Sequence, residues 1–368
     1  MRRMHSWPNL TRGAAALTLA CFGAWLPTQA LAVVAADSPS AHVLLPGDFG
    51  GVADANAKLL VTSVNGNTVC SGTLLAGGEY VLTAAHCAAG FTSLSVDFKL
   101  GTVIRSVSVG NAFVHPGWNN ILGNGSDIAL LKLDAPVTDI AGLRISTHNE
   151  VGHDILSFGY GLVGSGATGA THYDEDPPGT VPRVLRPHWG RNTIDTTDFI
   201  LVEAVLGAGQ GDHQYGETYV QDFDDGSPGR NALQRLKDDN FGSWADSSLG
   251  LGADESLVAG GDSGGADLVW DGFEYLLAGV HSYTWDLCGY LPGCDALAGT
   301  NSSFGDLSGA TAVFSHVDFI AGIAGLGVLP GNRVPEPAPW ALLGLALLGL
   351  ALLGSHASPS KHRADRLA

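Results

Sequence analysis

The sequence predicts an all-β fold of antiparallel strands, on three observations. Short runs rich in Val, Leu, Thr and Tyr recur at close spacing, glycine and asparagine turns separate them, and almost none of the central chain carries a helical period. That pattern argues an antiparallel barrel or sandwich. The chain has 368 residues, 45% hydrophobic and 15% charged, enough apolar mass for a real core.

Residues 1–32 come first, with Arg2, Arg3 and Arg12, an apolar run from Gly13 to Leu26, and Ala30-Leu31-Ala32. They read as a secretory signal cleaved after Ala32. Residues 33–56 lack a strong period and read as an N-terminal arm or short propeptide. From Lys58 the strands begin. Lys58–Val64, Thr68–Leu75 and Tyr80–Thr83 are three in succession, with turns at Asn65-Gly66-Asn67 and Gly77-Gly78. Thr102–Val109, Asp127–Leu133 and Ile155–Tyr160 follow. Residues 164–254 are Gly, Asp and Pro rich and read as a long insertion, with one convincing strand at Phe199–Val205 and acidic loops at Tyr173–Pro178 and Gln221–Gly226. Asp222, Asp224 and Asp225 could bind calcium through carboxylate oxygens, but they do not match a calcium-loop spacing, so the second loop reads first as solvated and no metal or other cofactor is assigned. Ala266–Trp270 and Tyr275–Val280 are further strands, and Thr311–Leu326 reads as a terminal amphipathic helix. A linker at 327–333 leads to the last segment, 334–368.

Between the two ends, residues 33–333 carry 12 Lys and Arg against 34 Asp and Glu, a net of −22. Such a surface repels nucleic acid phosphates and anionic lipid. Four cysteines remain after the signal: Cys70, Cys87, Cys288 and Cys294. An even number in an exported chain implies disulfides, and proximity favours Cys70 with Cys87 and Cys288 with Cys294, although the sequence permits three pairings.

Three short motifs carry chemistry. Gly260-Gly261-Asp262-Ser263-Gly264-Gly265 surrounds a serine with glycines that permit a tight turn, aiming the amides of Gly261 and Ser263 at one point. Thr83-Ala84-Ala85-His86-Cys87 sets an imidazole at a strand end, where it can act as a base. Ser126-Asp127-Ile128 puts a carboxylate at the start of a buried strand, where it can orient that imidazole. Each alone has a bland reading; in this order they read as a Ser-His-Asp nucleophilic system.

On these motifs the chain resembles the trypsin and chymotrypsin-like serine proteases over most of Lys58 to Ile320. Secondary matches are His115-Pro116-Gly117-Trp118, Gly159-Tyr160-Gly161 and Val317-Asp318-Phe319-Ile320. The resemblance implies a protease domain over 57–326, made of two six-stranded antiparallel barrels with a C-terminal helix. It assigns Ser263 as nucleophile, His86 as base, Asp127 as its orienting group, and Gly261 and Ser263 as oxyanion donors. It also implies a substrate strand through Ser282, Tyr283 and Thr284. Leu257 falls where trypsin-type members have a pocket aspartate, which implies cleavage after small or medium apolar residues. In the family an ammonium freed by cleavage pairs with the residue matching Asp262. No basic residue stands between Val33 and Lys58 to cut after, so either trimming near Phe49-Gly50-Gly51-Val52 or another partner for Asp262 is implied.

The segment 334–368 joins Val334-Pro335-Glu336-Pro337, an uncharged run from Trp340 to Gly354, and a tail with Lys361, Arg363 and Arg366. It is similar to the PEP-CTERM sorting signals of bacterial envelope proteins, which implies a terminal hydrophobic sorting helix, transient membrane attachment and an exosortase-type partner. The function so read is an exported serine endopeptidase. The alternative is a catalytically inactive homologue serving as an envelope or matrix binding module.

Overall fold

The computed structural model describes residues 33–174, 185–197, 217–239, 245–286 and 293–331. The chain divides into one compact unit ending at Pro330 and a second unit from Gly331 to the C-terminus. The first unit contains everything described below.

The chain enters the fold at β1 (Val34–Ala35), then forms two 3-10 turns, Pro39–His42 and Asp48–Ala55. The first large sheet follows from β2 (Asn56–Ser63), β3 (Gly66–Leu74), β4 (Tyr80–Thr83), β5 (Phe91–Phe98), β6 (Val103–Val107), β7 (Ala112–Val114) and β8 (Ala129–Lys132). Its order is β6-β5-β2-β3-β4-β8-β7, and every pairing is antiparallel. Strand β2 shows why it forms. Leu59 and Val61 are buried while Leu60 between them is 42% exposed, the two-residue alternation of a sheet with one wet face. Leu59 lies opposite Cys70 on β3 and Val96 on β5, so Cys70 belongs to the inward-facing set.

The second half contains β9 (Arg144–Ile145), β10 (Asp154–Gly159), β11 (Leu162–Ser165), β12 (Gly169–Tyr173), β13 (His188–Thr193), β14 (Thr196–Thr197), β15 (Thr218–Asp222), β16 (Ser256–Leu257), β17 (Ala266–Trp270), β18 (Tyr275–Asp286) and β19 (Asp306–Ala312). Eight of these form a sheet of order β13-β10-β17-β18-β19-β15-β14, with β9 added along β18. A third sheet, β12-β11-β1-β16, captures the N-terminal arm. The predicted class, curled antiparallel sheets, is the one observed. The strand count differs: sheets of seven, eight and four strands stand where two sets of six were implied, because short flanking strands such as β7, β9 and β14 extend the ladders. One apolar core joins the halves, since Leu59, Val96 and Leu130 of the first sheet belong to the same packed cluster as Phe158, Leu268 and Leu277 of the second.

Among the described residues, two longer helices flank the sheets. The first, Ala232–Asp238, arises inside the predicted insertion; its N-cap Asn231 accepts the Gln234 N–H, and Ala232, Leu233 and Leu236 are buried. The second, Val317–Ala324, is shorter than the helix read from sequence. Thr311 and Ala312 are instead the last residues of β19, and the 3-10 turn Val313–His316 intervenes. The predicted strand at Phe199–Val205 lies outside the described residues, as do the signal and sorting segments.

Candidate active site

Strand β4 ends at Thr83, and the short helical turn Ala85–Ala88 presents His86 immediately beyond it. The next residue, Cys87, is bonded to Cys70 of β3, which clamps the turn to the neighbouring strand. Cys70, Cys87 and His86 also stand close enough to suggest a metal site, but both sulfurs are occupied by the disulfide. Of the other two cysteines, Cys288 lies outside the described residues, and Cys294 is buried and disulfide-bonded.

Asp127 is fully buried at the mouth of β8 and grips His86 twice. Its Oδ1 accepts the His86 backbone N–H at 2.9 Å, and its Oδ2 lies 2.7 Å from His86 Nδ1. Ser282 of β18 donates its hydroxyl to the same Oδ2 at 2.6 Å, and Thr311 Oγ1 donates to the Asp127 carbonyl at 3.1 Å. Asp127 of one half is therefore fixed by two hydroxyls of the other, its carboxylate by Ser282 and its main chain by Thr311. Burial alone would lower the His86 pKa, but the Asp127 charge and hydrogen bond outweigh it, so the imidazolium is favoured and the pKa is raised. With Nδ1 held by Asp127, Nε2 is the nitrogen left to exchange a proton.

The Ser263 loop is docked onto the same place. The Ser263 carbonyl accepts the Ser71 N–H at 2.8 Å and lies 3.5 Å from Cys87 Sγ, beside His86 in the chain. Ser71 also donates its hydroxyl to the Gly261 carbonyl at 2.8 Å and accepts the Tyr160 N–H at 3.0 Å. Gly264 has φ +81°, and a Cβ there would come within 2.1 Å of Thr83 Oγ1 and 2.4 Å of the Ser71 carbonyl. Glycine is thus required at 264 for the loop to sit this close. Among the described residues, the N–H groups of Gly261 and Ser263 donate to no acceptor, as an oxyanion site demands.

Asp262 is fully buried. It accepts the Ala259 N–H on Oδ2 at 2.9 Å and the Gly161 N–H on Oδ1 at 3.3 Å. Burial pushes it up to about 7 despite the opposing influence of His281. His281 is itself buried and bonded through Nε2 to Asp267 Oδ1 at 2.8 Å.

The four residues expected to meet substrate have different surroundings. Leu257 is 1% exposed and packs with Val34, Phe223 and Ala259 in a small buried apolar cluster. Ser282 is buried on Asp127. Tyr283 and Thr284 are half-exposed on β18, opposite Gly309 and Ser308 of β19. A surface cavity of about 290 Å³, lined by Phe49, Trp270, Phe273 and Tyr275 among others, shares no residue with this set.

Sequence reasoning missed Ser71 and Thr83 as the posts of the nucleophile loop, and missed the His281–Asp267 pair. It also misread Gln221–Gly226 as solvated. Asp222 and Asp224 are each 2% exposed, because Phe223 between them packs in the interior and Asp222 Oδ2 accepts the Leu233 N–H at 2.9 Å. Burial first, then neighbouring carboxylates, push Asp224 up to about 10. The missed signal was Phe223, an aromatic in the middle of an acidic run.

The site thus sets a part-buried His–Asp pair beside a glycine-flanked serine loop, and parts of the chain are similar to known proteins of the trypsin kind. The Trypsin family model matches residues 50–216. A trypsin from Saccharopolyspora erythraea is 28% identical over 149 residues, covering 38% of this chain; the match spans 63% of that protein's length. A solved HL collagenase aligns with a TM-score of 0.47 and 18% identity, over 77% of this chain and 97% of its own. The family and sequence matches support a trypsin-like serine protease.

Proposed function

We propose that the chain is an exported serine endopeptidase that cleaves peptide bonds through an acyl-enzyme. The observation that carries this reading is the His86–Asp127–Ser282 chain of hydrogen bonds with the Ser263 loop docked beside it. Ser263 attacks the carbonyl, His86 takes its proton and returns it to the leaving amine, and Asp127 holds His86 in the required tautomer. The Gly261 and Ser263 amides receive the oxyanion, worth about 3 to 4 kcal/mol per donor in related enzymes. Leu257, apolar and buried where trypsin-type members have an aspartate, supports a preference for small or medium apolar side chains before the scissile bond. Peptidyl phosphonate probes test both points at once. Labelling is expected to be fast with Ala or Val next to the phosphonate and slow with Lys. Faster labelling by the Lys probe would overturn the specificity; no labelling of folded protein would favour the inactive binding module.

Activation follows from the arm. Cleavage after Ala32 leaves Val33 as the first residue, and the register of Val34 opposite Leu257 sets Val33 opposite Val258. The next residue, Ala259, is the one whose N–H holds Asp262. The new ammonium would then be the cation that Asp262 needs, with no basic cleavage site. Trimming near Phe49 fits less well, since the Phe49 ring packs on Phe158 and Trp189 at 5.6 and 5.4 Å. N-terminal sequencing of the active species is expected to begin at Val33; a start beyond Phe49 would remove β1 and sink this assignment.

The C-terminal segment completes the proposal. Its resemblance to envelope-sorting signals supports release or anchoring by an exosortase-type enzyme, with the hydrophobic run as a transient membrane attachment. Mass spectrometry of the envelope-associated protein is expected to show the tail beyond the Pro-Glu-Pro motif removed; an intact C-terminus at Ala368 would refute sorting.

A further inference from the structure

Asp286 ends β18, Asp306 begins β19 opposite it, and Asp295 lies on the loop between them. One carboxylate oxygen from each lies within 4.8 Å of the others. Two oxygens sharing a calcium ion at about 2.4 Å are at most about 4.8 Å apart, so this spacing fits a common ion.

Crowded acids alone would carry no such conclusion, but Asp306 adds an independent observation. It is fully buried, and its Oδ2 accepts three backbone N–H groups, from Asn301 at 3.0 Å, Ser302 at 2.7 Å and Ser303 at 3.3 Å. Its Oδ1 is buried with no hydrogen-bond partner among the described residues. Asp295 repeats the pattern: Oδ1 accepts the Leu297 N–H and the Ser303 hydroxyl, both at 2.8 Å, while Oδ2 is buried and without a partner among the described residues. Buried polar atoms are rarely left this way, and a carboxylate oxygen least of all. In both residues the loop fixes one oxygen and leaves the other to the shared space.

We propose that Asp286, Asp295 and Asp306 form a binding site for one calcium ion, which closes the loop 293–305 onto the β18–β19 ladder. The donors are all hard oxygens, which argues against zinc or copper, and magnesium demands shorter, near-octahedral contacts. Loop carbonyls and water supply the remaining ligands of the six to eight that calcium takes. The site stands apart from the serine chemistry and does not depend on it. The same β18–β19 ladder carries Thr284 opposite Ser308, two pairs from Asp286 opposite Asp306, so the ion would also stiffen the strand assigned to substrate.

The test uses the full chain stripped with chelator. Calorimetric titration with CaCl2 is expected to show one saturable site, and calcium at about 100 times its Kd should raise Tm by about 5 °C, with MgCl2 doing less. Asp306→Asn and Asp295→Asn should abolish the uptake and the shift. Should either fail to give a native near-UV spectrum, Asp286→Asn, on the more open ligand, should weaken binding at least tenfold. Absence of calcium uptake by the wild-type chain overturns the proposal. So does binding that survives both Asp286→Asn and Asp306→Asn, or binding lost instead in Asp224→Asn, which would place the ion among the other buried carboxylates.

Discussion

Replacing Ser263 with alanine is expected to lower kcat for peptide hydrolysis by about a millionfold and leave KM within a few-fold. In the proposed mechanism the alcohol oxygen is the atom that bonds to substrate, and nothing else in the loop can take its place. The Gly261 and Ser263 amides persist in the variant, so a small residual rate above the uncatalysed reaction is expected. His86→Ala should cost about as much, and the double variant little more than either, because nucleophile and base act as a unit. Active-site labelling must disappear in Ser263→Ala. Retained labelling at another serine would remove Ser263 from its role.

Asp267→Ala is expected to destabilise the fold by about 3 to 5 kcal/mol, measured as the loss in urea unfolding free energy. Asp267 Oδ1 receives His281 Nε2 at 2.8 Å and the Ser157 hydroxyl at 2.6 Å, and Oδ2 receives Gln221 Nε2 at 2.9 Å. Ser308 in turn donates to Gln221 Oε1 at 2.9 Å. Deleting the carboxylate strands three buried donors where water does not reach. The loss should extend to the nucleophile, since Gly264 donates to the His281 carbonyl and His281 donates to that of Gly265. Replacing both Asp267 and His281 by Leu should recover part of the stability, because no unpaired charge remains. A wild-type-like Asp267→Ala would show that the network is not structural.

The same pair has a defined pH window. Burial lowers the His281 pKa, but Asp267 and then Asp262 more than reverse this, so it lies above 6.5. Its contribution is complete below 6.5 and is lost as pH rises through the folded value. Burial raises Asp267, but His281 together with the Ser157 and Gln221 bonds brings it below 3.8. That contribution is present above 3.8 and is lost as pH falls through the folded value. The difference between wild type and Asp267→Ala should therefore be largest between 3.8 and 6.5 and shrink on both sides.

The strands were legible where a short β-prone run stands between turn residues, as at Tyr80–Thr83 and Ala266–Trp270, whose bounds match. They were missed where polar residues interrupt the apolar ones, as at Phe91–Phe98 and Thr218–Asp222, because burial there comes from neighbours distant in sequence. The helix Ala232–Asp238 was hidden for the same reason, being a seven-residue segment stabilised by its Asn231 cap and by Asp222.

By itself the sequence determined the residues to which the proposed chemistry is assigned: a serine among glycines, a histidine after a strand and an aspartate before one, each set by residue type and local conformation. Only the tertiary structure decided what holds them. Ser71 on the serine loop, Ser282 on Asp127 and Asp267 on His281 are hydrogen bonds across 190, 155 and 14 positions of chain. Whether Asp222 and Asp306 meet water or the interior was likewise decided there. Local conformation is written in adjacent residues, whereas burial and hydrogen-bond partners exist only once distant strands have packed.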